Sequence, residues 1–127
     1  VSRTSAREGA AKTRQLIRQI QEQGDSLAVF AEGTFEDVPG LLPFKQGAFL
    51  IAARAGVPVV PAGIRGTRRL FGGGRRLPRW SRVDVEIGPA IAASGDAHAL
   101  GRETRAAVLQ RCGEPDRDGK VSAGDLL

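Results

Sequence analysis

Glu32-Gly33-Thr34 is the first group of residues whose types and spacing could do chemistry. A carboxylate accepts hydrogen bonds from hydroxyls or amides and so can orient a polyol. The glycine beside it lets a ligand approach the backbone closely. The plain alternative is a turn after a strand. Lys45 and Arg3 form a second group. A phosphate needs fixed positive charge, which Arg offers as a bidentate fork and Lys as a point charge. Lys45 stands just before an apolar Ala- and Leu-rich stretch, where the amides of a helix start would add to the attraction. The plain alternative here is a solvated charge at a helix start.

Three further groups carry weaker signals. Residues 65–82 hold seven arginines, the triple glycine 72–74 and no acid. Arg68, Arg69, Arg75, Arg76 and Arg79 are interleaved there with Phe71 and Trp80, a pattern suited to an anionic membrane surface. A solvated loop and a phosphate-binding nucleic-acid surface are the other readings, although no nucleic-acid module signature accompanies the charge. His98, the sole histidine, has Glu103 five residues later. It opens a polar helix with no buried strand end beside it and reads as a surface residue. Glu114, Asp116, Asp118, Ser122 and Asp125 keep the register of a calcium loop, with Gly119 at the turn. Glu at the first position, Asp at the last and the lack of an exit helix depart from it, so a polar tail over 114–127 competes with metal binding.

These groups need elements to position them. Ser5 and Glu8 fit a capping box, and Ala10, Thr13, Leu16, Ile17 and Ile20 recur at helical spacing, which predicts a helix from about Ser5 to Gln23 stopped by Gly24. Leu27–Ala31 is apolar without alternation and predicts a strand buried on both faces. Residues 46–54 predict a short buried helix ended by Gly56. Residues 57–64 predict a second buried strand, whose Pro58 and Pro61 argue for strand ends or an edge. A helix between two such strands is a parallel crossover, with Glu32 at a carboxyl end, where ligands sit in open α/β sheets. Val83–Ile87 alternates as a half-buried strand, and a last helix is expected from Ala97 to Arg111 with Gly113 as its cap. The fold class is α/β, a mostly parallel or mixed sheet flanked by helices, with one domain over 1–113.

Composition narrows the classes. The chain has 127 residues, 41% of them hydrophobic, which is enough for one core. No run approaches the ~18 apolar residues of a membrane span, and no leader pattern is expected. One Cys and one His make an internal disulfide impossible and a Cys/His zinc site unexpected. The net charge is +5, and residues 65–82 alone contribute +7.

Together the blocks are more specific than any one of them. Phe30-Ala31-Glu32-Gly33-Thr34-Phe35, then Gly40-Leu41-Leu42-Pro43-Phe44-Lys45-Gln46-Gly47-Ala48-Phe49, then Val57-Pro58-Val59-Val60-Pro61-Ala62 resemble, in order and spacing, blocks of the 1-acylglycerol-3-phosphate acyltransferase family. Val1-Ser2-Arg3 resembles the end of an earlier block, and the resemblance covers about Val1 to Ile91. It implies acyl transfer from acyl-CoA or acyl carrier protein, with no other cofactor, to the hydroxyl of a lysophospholipid. It implies that Glu32, Gly33 and Thr34 hold the glycerol, that Arg3 with Lys45 holds the phosphate, and that Pro61 shapes the donor side. Ala31 replaces the family's usual Pro and Phe35 its frequent Arg. The family's catalytic His, followed five residues later by Asp, has no counterpart in these blocks. Together with the Met-less start at Val1, this leads to the expectation of an acyltransferase domain lacking its amino-terminal third and inactive alone. Its expected place is the cytoplasmic face of a bacterial inner membrane, as a peripheral protein. A calcium-responsive regulatory module and a basic nucleic-acid-binding protein are the rival classes.

Overall fold

The computed structural model describes residues 3–34, 38–71, 77 and 79–118. Helix α1 runs over Arg3–Gln23. It begins before Ser5, so Ser5 and Glu8 lie inside its first turns rather than at a cap; nothing in Arg3 or Thr4 opposes helical dihedrals. Thr13, Leu16, Ile17 and Ile20 are half-buried, as the periodicity predicts, whereas 5–12 are exposed. Helix α2 spans Gly47–Ala55, and Gly56, at φ 70°, returns its N–H to the Ala52 carbonyl. The ends of α1 and α2 meet where Gln21 Nε2 donates to the Ala55 carbonyl at 3.3 Å.

Strand β1 is Ala62–Arg65, the short helix α3 is Thr67–Phe71, strand β2 is Asp84–Ile87 and helix α4 is Ala97–Cys112. Strands β1 and β2 pair antiparallel, Ala62 opposite Ile87 and Arg65 opposite Asp84. An isolated bridge of Val59 with Ile91 and the Gly88 N–H to the Pro61 carbonyl, 2.8 Å, carry the pairing back past Pro61. The regular strand starts only after that proline, which lacks a donor. Asp96 caps α4 by accepting from the His98 and Ala99 amides, and Gly113, at φ 67°, ends it.

The core lies between α2 and α4. Phe49, Ala52 and Leu100 are buried there, with Phe44, Val57, Val59, Ile91 and Ala97 packed around them. Helix α4 also lies against β1 so closely that a Cβ on Gly63 would stand 2.6 Å from the Arg111 carbonyl carbon. Only glycine allows that approach.

Helices flanking a small sheet make an α/β arrangement, but several expectations about strands fail. Leu27–Ala31 belongs to no ladder, and Leu27, Val29 and Phe30 are 46%, 50% and 84% exposed. A strand buried on both faces needs a neighbour on each side, and the described residues supply neither. The parallel crossover is therefore not formed, and 57–64 alternates in burial instead of being buried throughout. Strand β2 is exposed along its whole length, because α4 covers β1 and no described element covers β2.

Candidate functional site

The turn after Phe30 is made by sequence-local chemistry. The Gly33 N–H closes onto the Phe30 carbonyl at 3.1 Å, and Gly33 takes φ +71°. A residue with a Cβ pays a steric penalty there. The segment that follows then folds back on the turn. Glu32 Oε2 accepts from the Leu42 N–H at 3.0 Å, and the Lys45 N–H donates to the Ala31 carbonyl at 2.8 Å. These two bonds lay the Lys45 stem over Gly33, where an added Cβ would lie 3.1 Å from Lys45 Cγ. Glu32, Gly33 and Lys45, read separately in the sequence, are thus one cluster.

Glu32 and Gly33 line a groove of about 1180 Å³, and Lys45 lies at its edge against Gly33. Its apolar walls come from Leu27–Ala31 and Val57–Pro61, and Glu32, Gly33 and Thr34 add polar lining. Pro61 is fully buried in that wall. Among the described residues the second Glu32 oxygen has no hydrogen bond and the Lys45 ammonium no ion pair. The arrangement can therefore accept a hydroxyl hydrogen bond and attract an anion side by side, next to an apolar surface.

Residues for which the sequence suggested no such role hold the segment between Glu32 and Lys45. Arg105, on α4, is buried, and donates to the Leu41 carbonyl at 2.7 Å and the Leu42 carbonyl at 3.4 Å. It pairs with Asp116 at 2.9 Å and lies 5.8 Å from the Phe44 ring centroid. Residues 114–117 run alongside: Glu114 Oε2 accepts from the Gly40 N–H at 2.6 Å, Leu41 donates to the Pro115 carbonyl, and Arg117 donates to the Leu41 carbonyl. Leu41 and Asp116 thereby form a parallel bridge. The Arg105 guanidinium, aided by the Asp118 N–H, holds the Asp116 carboxyl below the usual carboxylate range. An arginine in a polar helix near the end of a chain reads as solvated, and only long-range packing reveals these partners.

The other predicted residues fall elsewhere. Arg3 is the first residue of α1, and its side chain lies outside the described residues. Arg69, Arg79 and Trp80 are present on α3 and the segment after it; Arg79 is exposed and Trp80 is 98% exposed. Arg75, Arg76 and the Phe71 side chain lie outside the described residues. Arg68 departs from the expected docking set. It turns inward and pairs with Glu114 Oε1 at 2.6 Å, because α3 packs beside residue 114. His98 is exposed at the start of α4. In the calcium register, Glu114 and Asp116 are engaged by Arg68 and Arg105, which a cation would have to displace. Ser122 and Asp125 lie outside the described residues, among which no group of three acidic, His or Cys side chains could hold a metal. No described helix is long and apolar enough to cross a membrane.

An acyltransferase family model matches residues 1–65. The chain is 42% identical over 83 residues to the 1-acyl-sn-glycerol-3-phosphate acyltransferase of Haemophilus influenzae, covering 64% of this chain and 33% of that protein. It is 33% identical over 110 residues to an uncharacterized acyltransferase of Schizosaccharomyces pombe, covering 82% of this chain and 39% of that protein. The crystal structure of the 1-acyl-sn-glycerophosphate (LPA) acyltransferase of Thermotoga maritima matches the fold with a TM-score of 0.65 at 28% identity, covering 77% of this chain and 41% of that chain. The chain thus spans about a third to two fifths of the length of these proteins.

Proposed function

The chain belongs to the acyltransferase family, and from that premise we propose that it forms the acceptor-binding part of an enzyme that acylates the free hydroxyl of a lysophospholipid such as 1-acylglycerol-3-phosphate. The observation that carries this is the Glu32–Gly33–Lys45 cluster at the edge of an apolar groove. In this reading Glu32, Gly33 and Thr34 hold the glycerol, and Lys45, with Arg3, attracts the phosphate as a fixed cation does. The groove takes the apolar chains, with Pro61 on the acyl-donor side. The donor is a thioester of CoA or of acyl carrier protein, and no further cofactor is needed. Attack of the hydroxyl oxygen on the thioester carbonyl forms the ester and releases the thiol, once a base has removed the hydroxyl proton.

That base is not among these residues. The sole histidine, His98, lies on α4 outside the groove lining. We therefore also propose that this polypeptide alone binds acceptor without turning it over. The exposed Trp80 and its arginine neighbours support a peripheral position on an anionic membrane surface, and the surface we propose is the cytoplasmic face of an inner membrane. The test is equilibrium binding of monomeric lysophosphatidate to the 127-residue chain and to its Lys45→Ala and Glu32→Gln variants, alongside an acyl-CoA assay. Saturable binding weakened by both substitutions is expected. Binding indifferent to them would refute the acceptor site, and robust turnover would refute the missing-base argument.

A further inference from the structure

We infer that residues 114–118, clamped by Arg105, act as a positioning strap that holds the 40–45 segment and so keeps Lys45 over Gly33; the inference rests on the acceptor-binding reading above. Glu32 and Lys45 are useful together only at a fixed separation, and binding groups need their geometry held to within roughly 0.5 Å. Yet they are joined by a connection whose described part contains no helix and no strand of its own. Such a loop is ordered only if its backbone groups find partners.

They find them in two places. Leu42 is gripped at both ends of its peptide groups, its N–H by Glu32 and its carbonyl by Arg105. Gly40 and Leu41 give their N–H groups to Glu114 and Pro115, and the Leu41 carbonyl takes Arg105 and Arg117. Arg105 also lies over Phe44, the residue before Lys45. A buried guanidinium is costly unless it is paired and hydrogen-bonded, and the loop carbonyls and Asp116 meet that need together. Asp116 aims Arg105 from one side of the strap, while Arg68 anchors Glu114 on the other. Arg105 is thus a positioning residue that acts on the acceptor through Glu32 and Lys45, without touching it.

Amide hydrogen exchange and lysophosphatidate binding on the full 127-residue chain test this, with Arg105→Lys and Asp116→Asn chosen because Arg105→Ala can unfold α4. A lysine cannot span the three acceptors of Arg105, so exchange of the Leu42 and Lys45 amides should accelerate about tenfold in Arg105→Lys, the worth of one charge-assisted bond. Asp116→Asn should raise the same amides less, since that pair is partly exposed. Amides in the middle of α4 should keep their protection, and lysophosphatidate affinity should fall in the same order. A merely structural role would loosen α4 and the loop together. Unchanged Leu42 and Lys45 exchange in both variants would overturn the strap, as would unaltered affinity in variants whose loop has loosened. If the loop loosens as expected but the unaltered chain binds no lysophosphatidate, the strap stands and the acceptor reading fails.

Discussion

Replacing Gly33 separates backbone strain from side-chain placement. Gly33 sits at φ +71°, and a Cβ there would come within 3.1 Å of Lys45 Cγ. The left-handed conformation costs an alanine about 1–2 kcal/mol. The smaller entropy of the unfolded Gly33→Ala chain offsets about 0.4–1 kcal/mol of that. A net loss of about 1 kcal/mol follows, a fall in Tm of about 4 °C for a chain of 127 residues. The contact with Lys45 adds little to the loss, because relieving 3.1 Å at Cγ asks that stem to give by only a few tenths of an ångström. Its effect falls on binding: the ammonium leaves its place over the turn, and losing one charge-assisted contact weakens lysophosphatidate binding about tenfold or more. Gly33→Asn tells the two effects apart. Asparagine tolerates the left-handed region, so stability should recover, but its Cβ still displaces Lys45 and binding should stay weak. Thermal unfolding and equilibrium titration of the three chains provide the readouts. An alanine variant as stable as the parent would refute the strain argument, and full affinity in Gly33→Asn would refute the placement of Lys45.

Glu32→Ala leaves the half-buried Leu42 N–H without its acceptor and should cost about 1 kcal/mol in denaturant unfolding, whereas Glu32→Gln should keep that bond and lose affinity with little loss of stability. Gly63→Ala drives a methyl into the backbone of the last turn of α4, and should cost about 1–3 kcal/mol by the same measurement. Because the folded-state pKa of Asp116 lies below its ordinary 3.8, the Asp116–Arg105 pair contributes stability above that value and loses it as pH falls through the lower, folded-state pKa. Unfolding measured across that acid window should show a pH-dependent component that is absent in Asp116→Asn. Trp80, being 98% exposed, should report docking by a blue shift of its emission on vesicles of anionic lipid, an effect that charge reversal at Arg75, Arg76 and Arg79 should weaken. An unchanged spectrum with anionic vesicles would remove the docking role.

Helices α1, α2 and α4 were legible because their determinants are local, whereas the short α3 lies in the stretch read as an arginine-rich loop. Ala-rich stretches at 3.6-residue spacing and the glycines at 24, 56 and 113 mark three helix ends, all in the left-handed region as expected. The chemistry of Glu32, Gly33 and Lys45 was legible for the same reason, since residue type and order along the chain carry it. Strand environment was not. An apolar run such as Leu27–Ala31 states that it is suited to burial, but the strand that would cover it must come from elsewhere, and here it lines a groove. The tail misled in the opposite sense: Glu114 and Asp116 read as a solvated or cation-binding polar stretch, yet they meet arginines on α3 and α4. Composition and spacing determine which groups this chain brings and which helices carry them. Only the tertiary structure decides that Lys45 lies on Gly33 and that Arg105 joins loop to tail, because those contacts close across up to 64 residues of chain and depend on how α4 packs.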